Sequence, residues 1–132
     1  MEISTPTESI PMAEGDHLLL TGASSGIGRN AAQRLEQAGH RLTLICRSQA
    51  RAQEALGWVA PQTTVLLADL SDLTSVDQVC SNLLDRDETL DGLVLNAGLQ
   101  YAGYKEPRCN PQGFELTLAV NHLAHQLMLM RL

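Results

Sequence analysis

Apolar positions along the chain come in short runs, separated by stretches in which they recur every three or four residues. The runs read as strands and the periodic stretches as helices. Leu18-Leu19-Leu20 anchors a first strand over His17–Thr21. Ile27, Ala31, Leu35 and Ala38 then share one helical face, which predicts a helix over about residues 27–38, with Gly39 placed to end it. In Arg41–Cys46, Leu42 and Leu44 alternate while Ile45 makes the other face apolar. Two apolar faces suit a strand buried in a parallel sheet. Ser48 is placed to cap a short Ala- and Gln-rich helix that ends at Leu56 or Trp58, before Pro61. Next come a third strand over 63–68 and a helix opened by Ser71 or Asp72, with Val76, Val79, Cys80, Leu83 and Leu84 in one stripe. A fourth strand covers 90–96, and 99–110 reads as irregular loop. From Pro111 a last helix is predicted to run to the end, with Leu116, Val120, Leu123, Leu127 and Met130 along one side. Strands alternating with helices predict right-handed crossovers and an α/β fold on a parallel sheet.

The first fifteen residues lack this pattern. Their Pro, Thr, Ser and Glu, without a basic or apolar signal region, read as a disordered tail, leaving 16–132 as one domain. A chain of 132 residues suffices for one hydrophobic core. The net charge of -6 and scattered basic residues weigh against nucleic-acid or anionic-membrane partners, which need a basic face. No apolar run approaches the ~20 residues of a membrane span. Cys46, Cys80 and Cys109 include no Cys-x-x-Cys pair and read as reduced thiols in a cytoplasmic protein, packed as small hydrophobes.

Chemistry concentrates at Thr21-Gly22-Ala23-Ser24-Ser25-Gly26-Ile27-Gly28, between the first strand and the first helix. Strand, glycine turn and helix form the context of a dinucleotide-phosphate loop. The first glycine permits the sharp turn, Gly26 allows backbone to approach a pyrophosphate, and Gly28 lets the helix lie close on the sheet. The helix N-terminus offers unpaired N–H groups to the phosphates. A nucleoside-triphosphate loop would need Lys and Ser or Thr where Arg29 and Asn30 stand.

The Thr-Gly-x-x-x-Gly-x-Gly spacing resembles the short-chain dehydrogenase/reductase family, and the resemblance runs over about residues 16–132. It implies a Rossmann-like, doubly wound parallel sheet with strand order 3-2-1-4 in this part, incomplete because the chain supplies only the front half of the family's domain. It implies that Gly22, Ser24, Ser25, Gly26, Ile27 and Gly28 bind the cofactor. At the end of the second strand stands Cys46-Arg47, where NAD-specific dehydrogenases place an acid for the ribose 2′-hydroxyl. No acid occurs between Arg41 and Ala52, and Arg47 can pair with a 2′-phosphate, so NADP is expected rather than NAD. Ser25 departs from the basic residue that NADP-preferring members often carry nearby, and Arg29 is a second candidate for that charge. Asp69 of Ala68-Asp69-Leu70 is implied to accept from the adenine amine while the Leu70 N–H serves the ring. Asn96-Ala97-Gly98 matches the family's motif lining the ribose path, and Asn121 matches the position that helps hold a water chain leading to the catalytic lysine. His122 and His125 read as surface or core histidines, a poor metal pair without a nearby carboxylate. Gly-Phe-Glu-Leu-Thr and Val-Asn-His-Leu-Ala-His further resemble the branch of retinol dehydrogenase-like and protochlorophyllide reductase-like enzymes.

In the family a Ser and a Tyr-x-x-x-Lys follow the helix bearing Asn121, and neither occurs before Leu132. Tyr101-Ala102-Gly103-Tyr104-Lys105 spells the motif, but Gly103 and Pro107 oppose the helix that it requires, and it precedes Asn121. The expected function is that of an NADP-dependent oxidoreductase moving hydride between nicotinamide and a small carbonyl or alcohol, here as a cofactor-binding piece inactive by itself. The alternative is a non-catalytic NAD(P)-binding regulatory or interaction module. The resemblance also implies a homo-oligomer assembled through the last helix.

Overall fold

The computed structural model describes residues 15–100 and 105–132 of the chain. The expected tail, apart from Gly15, and the tyrosine of Tyr101-x-x-x-Lys105 lie outside the described residues. The elements follow the order β1 (His17–Thr21), α1 (Gly26–Gln37), β2 (Arg41–Cys46), α2 (Gln49–Leu56), β3 (Thr64–Leu67), α3 (Leu73–Asp85) and β4 (Gly92–Leu95). One continuous last helix then begins as α4 (Leu116–Leu118), widens to a π-helical segment (Ala119–Leu123) and returns to α5 (Ala124–Arg131). The four strands are parallel, as the alternation of elements predicts, in the order β3-β2-β1-β4 that the family resemblance implies.

Alternation along β1 divides the interior in two. Leu18 and Leu20 join Leu42, Leu44, Ala23 and Ala32 beneath α1, while Leu19 packs with Ile45, Val76, Cys80, Ala124 and Met128 beneath α3 and α5. Full burial of one such leucine contributes about 1.5–3 kcal/mol, and the sheet is covered on both faces. The starts of α2 and α3 are capped as their residues suggest. The Ser48 hydroxyl accepts from the Arg51 N–H, and the Asp72 carboxylate accepts from the Thr74 N–H at 2.9 Å.

Three expectations are corrected. Ile27 does not belong to the buried face of α1: it is 83 % exposed, and the helix seats Gly28 and Ala32 against the sheet. Small residues bring that helix close, and Ile27, one position earlier, is turned toward solvent at the loop. The last helix starts at Leu116 rather than Pro111. Asn110 Oδ1 accepts from the Gln112 and Phe114 N–H groups, folding this stretch into a turn, and Gly113 stands at φ +86° within it. The Glu115 carboxylate then caps the helix by accepting from Thr117 and Leu118 N–H, bonds that hold its pKa below the usual carboxylate range. Finally, the buried stripe of that helix is Val120, Ala124 and Met128, with Leu116 and Leu132 partly buried in line. Met130, expected inside, is 75 % exposed. The π-helical segment inserts an extra residue into the turn and rotates everything after it.

Leu118, Leu129 and Met130 leave apolar surface on the outside of this helix, and among the described residues β4 pairs only with β1. An open strand edge and an apolar helix face both favour association. Light scattering of the 132-residue polypeptide is expected to report dimers or larger species, reduced by the double change Leu129→Lys and Met130→Lys. A monomeric mass at micromolar concentration would count against this expectation.

Candidate functional site

A cleft of ≈ 860 Å³ opens where the carboxyl ends of the strands meet the loops that follow them. Its floor is the glycine loop between β1 and α1. Gly22 turns the chain at φ +70°, and a Cβ there would come within 2.7 Å of the Ala97 Cα. Gly28 sits directly on the Gly22 carbonyl, and a Cβ on it would also meet Asn96 Nδ2 at 2.6 Å. Three chain segments therefore converge at a distance that only glycine allows. Ser25 precedes α1 in an extended conformation, its side chain makes no cap bond, and the first turn carries no acid. The helix thus begins with N–H groups left without side-chain acceptors. Gly26, at φ +56°, has open space where a side chain would stand.

The structure brings Gly22, Ser24, Ser25, Gly26, Ile27, Gly28, Arg47, Asp69, Leu70, Asn96, Ala97 and Gly98 to the lining of this one cleft. Arg47, at the tip of β2, is exposed and makes no hydrogen bond or ion pair among the described residues. Asp69 Oδ1 accepts from both the N–H and the hydroxyl of Ser71, at 2.9 and 2.7 Å, so this residue shapes a turn as well as facing the cleft. Asn96 Nδ2 lies 3.4 Å from the carbonyls of Thr21 and Gly22.

Asn121 is not in the lining. Its amide makes two bonds to one residue of the wall: Oδ1 accepts from the Leu99 N–H at 2.8 Å, and Nδ2 donates to the Leu99 carbonyl at 2.9 Å. Arg29 is not in the lining either, because its guanidinium lies over the Trp58 ring at 5.1 Å, a cation–π contact. Sequence reasoning missed Arg51, which faces the cleft from α2 and pairs with Glu54 at 2.9 Å. Its signal was available: it stands one helical turn beyond Arg47. Cys46 also lines the cleft, and burial, with a smaller contribution from Glu54, pushes its thiol pKa up.

His122 is exposed, whereas His125 is buried with Nε2 at 2.8 Å from Thr21 Oγ1. Burial lowers its pKa, against a smaller opposing effect of the Asn121 backbone. A histidine depressed in the folded state stabilises above its ordinary pKa of about 6.5, and that contribution is lost as pH falls toward the folded value. The gap in melting temperature between the parent and a His125→Gln variant is therefore expected to narrow from about pH 7.5 to about pH 5.5. An unchanged gap in a calorimetric pH series would contradict the neutral buried state.

A parallel sheet of order β3-β2-β1-β4, with a glycine-rich turn after its first strand, defines an α/β domain of the Rossmann-like class. The chain belongs to the short-chain dehydrogenase/reductase family of oxidoreductases: the family model for short chain dehydrogenase matches residues 16–131. It is 40 % identical over 114 residues to a chloroplastic protochlorophyllide reductase of Chlamydomonas reinhardtii, a match covering 83 % of this chain and 29 % of that protein. It is 36 % identical over 132 residues to retinol dehydrogenase 14 of Mus musculus, covering 89 % of this chain and 39 % of the relative. These are the two kinds of enzyme that the Gly-Phe-Glu-Leu-Thr and Val-Asn-His-Leu-Ala-His segments suggest. A crystal structure of 3-ketoacyl-(acyl-carrier-protein) reductase from Brucella melitensis, complexed with NADH, superposes with a TM-score of 0.71 at 29 % identity, over 89 % of this chain and 48 % of that one. The chain spans less than half the length of these relatives. No helix among the described residues is long and apolar enough to cross a membrane.

Proposed function

We propose that the chain is the cofactor-binding part of an NADP-dependent oxidoreductase acting on a small carbonyl or alcohol. The observation that carries the cofactor choice is Arg47, a guanidinium unpaired among the described residues, at the tip of β2 facing the cleft, on a strand end without an acid. A carboxylate there would repel a 2′-phosphate, whereas arginine pairs with it through two parallel N–H bonds. The glycine loop supports a pyrophosphate: Gly26 leaves its approach open, and the uncapped first turn of α1 supplies N–H donors and partial positive charge. On this reading Asp69 Oδ2 and the Leu70 N–H receive the adenine, while Asn96, Ala97 and Gly98 form the ribose wall. When bound, the nicotinamide supplies or accepts the hydride. Asn121 contributes by holding Leu99, and with it the end of that wall, in place. Residues outside this chain would supply the acid–base step, so the polypeptide by itself is expected to reduce no carbonyl.

Titration calorimetry with NADP and NAD tests the assignment. NADP is expected to bind more tightly by about one to two decades. Equal affinities would overturn the cofactor preference, and no heat with either nucleotide would overturn the binding reading altogether.

A further inference from the structure

The last helix and the glycine loop meet at one buried polar contact. His125, 7 % exposed, places Nε2 2.8 Å from Oγ1 of Thr21, the last residue of β1, immediately before Gly22. The same hydroxyl oxygen accepts the Ala97 N–H at 3.0 Å. In the neutral Nδ1–H tautomer Nε2 accepts the Thr21 hydroxyl proton while Oγ1 accepts the Ala97 N–H. An imidazolium would leave the Thr21 proton without its acceptor.

The arrangement fastens the β4 wall twice. Ala97 is tied to Thr21, Leu99 is tied to the Asn121 amide by two bonds, and His125 ties the last helix, which carries Asn121, to Thr21. The π-helical segment makes this possible. On an unbroken α-helix of 3.6 residues per turn His125 would point about half a turn away from Leu116. The wider turn over Ala119–Leu123 swings it inward, next to buried Ala124.

We infer that His125 is a positioning residue for the nucleotide: it sets the distance between the glycine loop and the β4 wall, acting through Thr21 and the helix that holds Leu99, without touching the ligand. This inference rests on the reading of the cleft as a nucleotide site.

The test measures NADP dissociation constants for the parent, Thr21→Val, His125→Phe, their double variant and His125→Gln. It is accompanied by ¹⁵N spectra of the His125 ring. Each of the two single changes is expected to weaken binding on the order of tenfold, with the double variant no worse than the weaker single, because both break one link. Glutamine can accept from the Thr21 hydroxyl and is expected to restore most of the loss, which a merely space-filling role would not predict. The ring spectrum is expected to show a neutral Nδ1–H tautomer whose Nε2 signal moves in Thr21→Val. Parent-like affinity in folded His125→Phe, additive losses, or no rescue by glutamine would overturn the inference. If His125→Phe does not fold, glutamine affinity and the spectra decide, and an Nε2 signal indifferent to Thr21→Val overturns the link. Failure of the parent to bind any nucleotide would overturn the site reading, and the positioning role with it, while the spectra still report whether the link exists.

Discussion

Alanine at position 28 is expected to abolish nucleotide binding, a loss of at least about a hundredfold, and to destabilise the fold, while alanine at position 26 is expected to weaken binding with a milder effect on stability. The two glycines stand two residues apart and serve different ends. A Cβ on Gly28 would fall onto the Gly22 carbonyl and 2.6 Å from Asn96 Nδ2. Backbone cannot rotate away as a flexible side chain does, so α1 would have to lift from the sheet and the glycine loop would open. Overpacking of this kind costs about 1–3 kcal/mol of stability, occasionally more. Gly26 has open space around its missing side chain, so alanine there costs the fold only the strain of its φ of +56°, about 1–2 kcal/mol, although its Cβ would stand where the pyrophosphate approaches. Calorimetric titration with thermal melts of both variants checks the contrast. Equal losses of stability at the two positions would show that conformation, rather than close approach, governs the loop.

The second large effect is expected at Arg47. Replacing it with alanine should weaken NADP by about one to two decades, because a hydrogen bond to a charged group contributes about 1.5–3 kcal/mol. NAD, which offers no phosphate at that point, should bind the variant as it binds the parent. Stability should hardly change, since the side chain is exposed and has no partner to lose among the described residues. Arg51 remains in the variant, but its pairing with Glu54 at 2.9 Å already engages its charge. Titration of both nucleotides into both proteins reads the result. A preference for NADP that survives the substitution would move the phosphate contact from Arg47 to Arg51.

Local chemistry explains how much was legible in advance. The glycine loop, the Ser48 and Asp72 caps and the strand β2 depend on residues within a few positions of one another. Short-range preferences therefore specify them without reference to the rest of the fold. The parallel order β3-β2-β1-β4 agrees with the alternation of apolar runs and periodic stretches, and with the family resemblance. Arg47, Asp69 and Asn96-Ala97-Gly98 could be gathered in advance because each ends a strand, and parallel strands deliver their carboxyl ends to one edge.

Helix phase and side-chain partners were not legible. Ile27 fits the apolar period of α1, yet the approach of Gly28 to Gly22 selects a different face for burial. Pro111 looks like a helix start, but the Asn110 side chain folds the following residues into a turn and leaves Glu115 to cap the helix. Thr21 meets His125 across 104 positions of sequence, and Asn121 meets Leu99 across 22. The sequence alone thus determined the elements, the phosphate-type loop and the strand ends that face one cleft, because these follow from neighbours along the chain. Only the tertiary structure decided which helix faces are buried, and that a widened turn carries His125 to Thr21. Such choices are made by packing between segments that become neighbours only when the sheet has assembled.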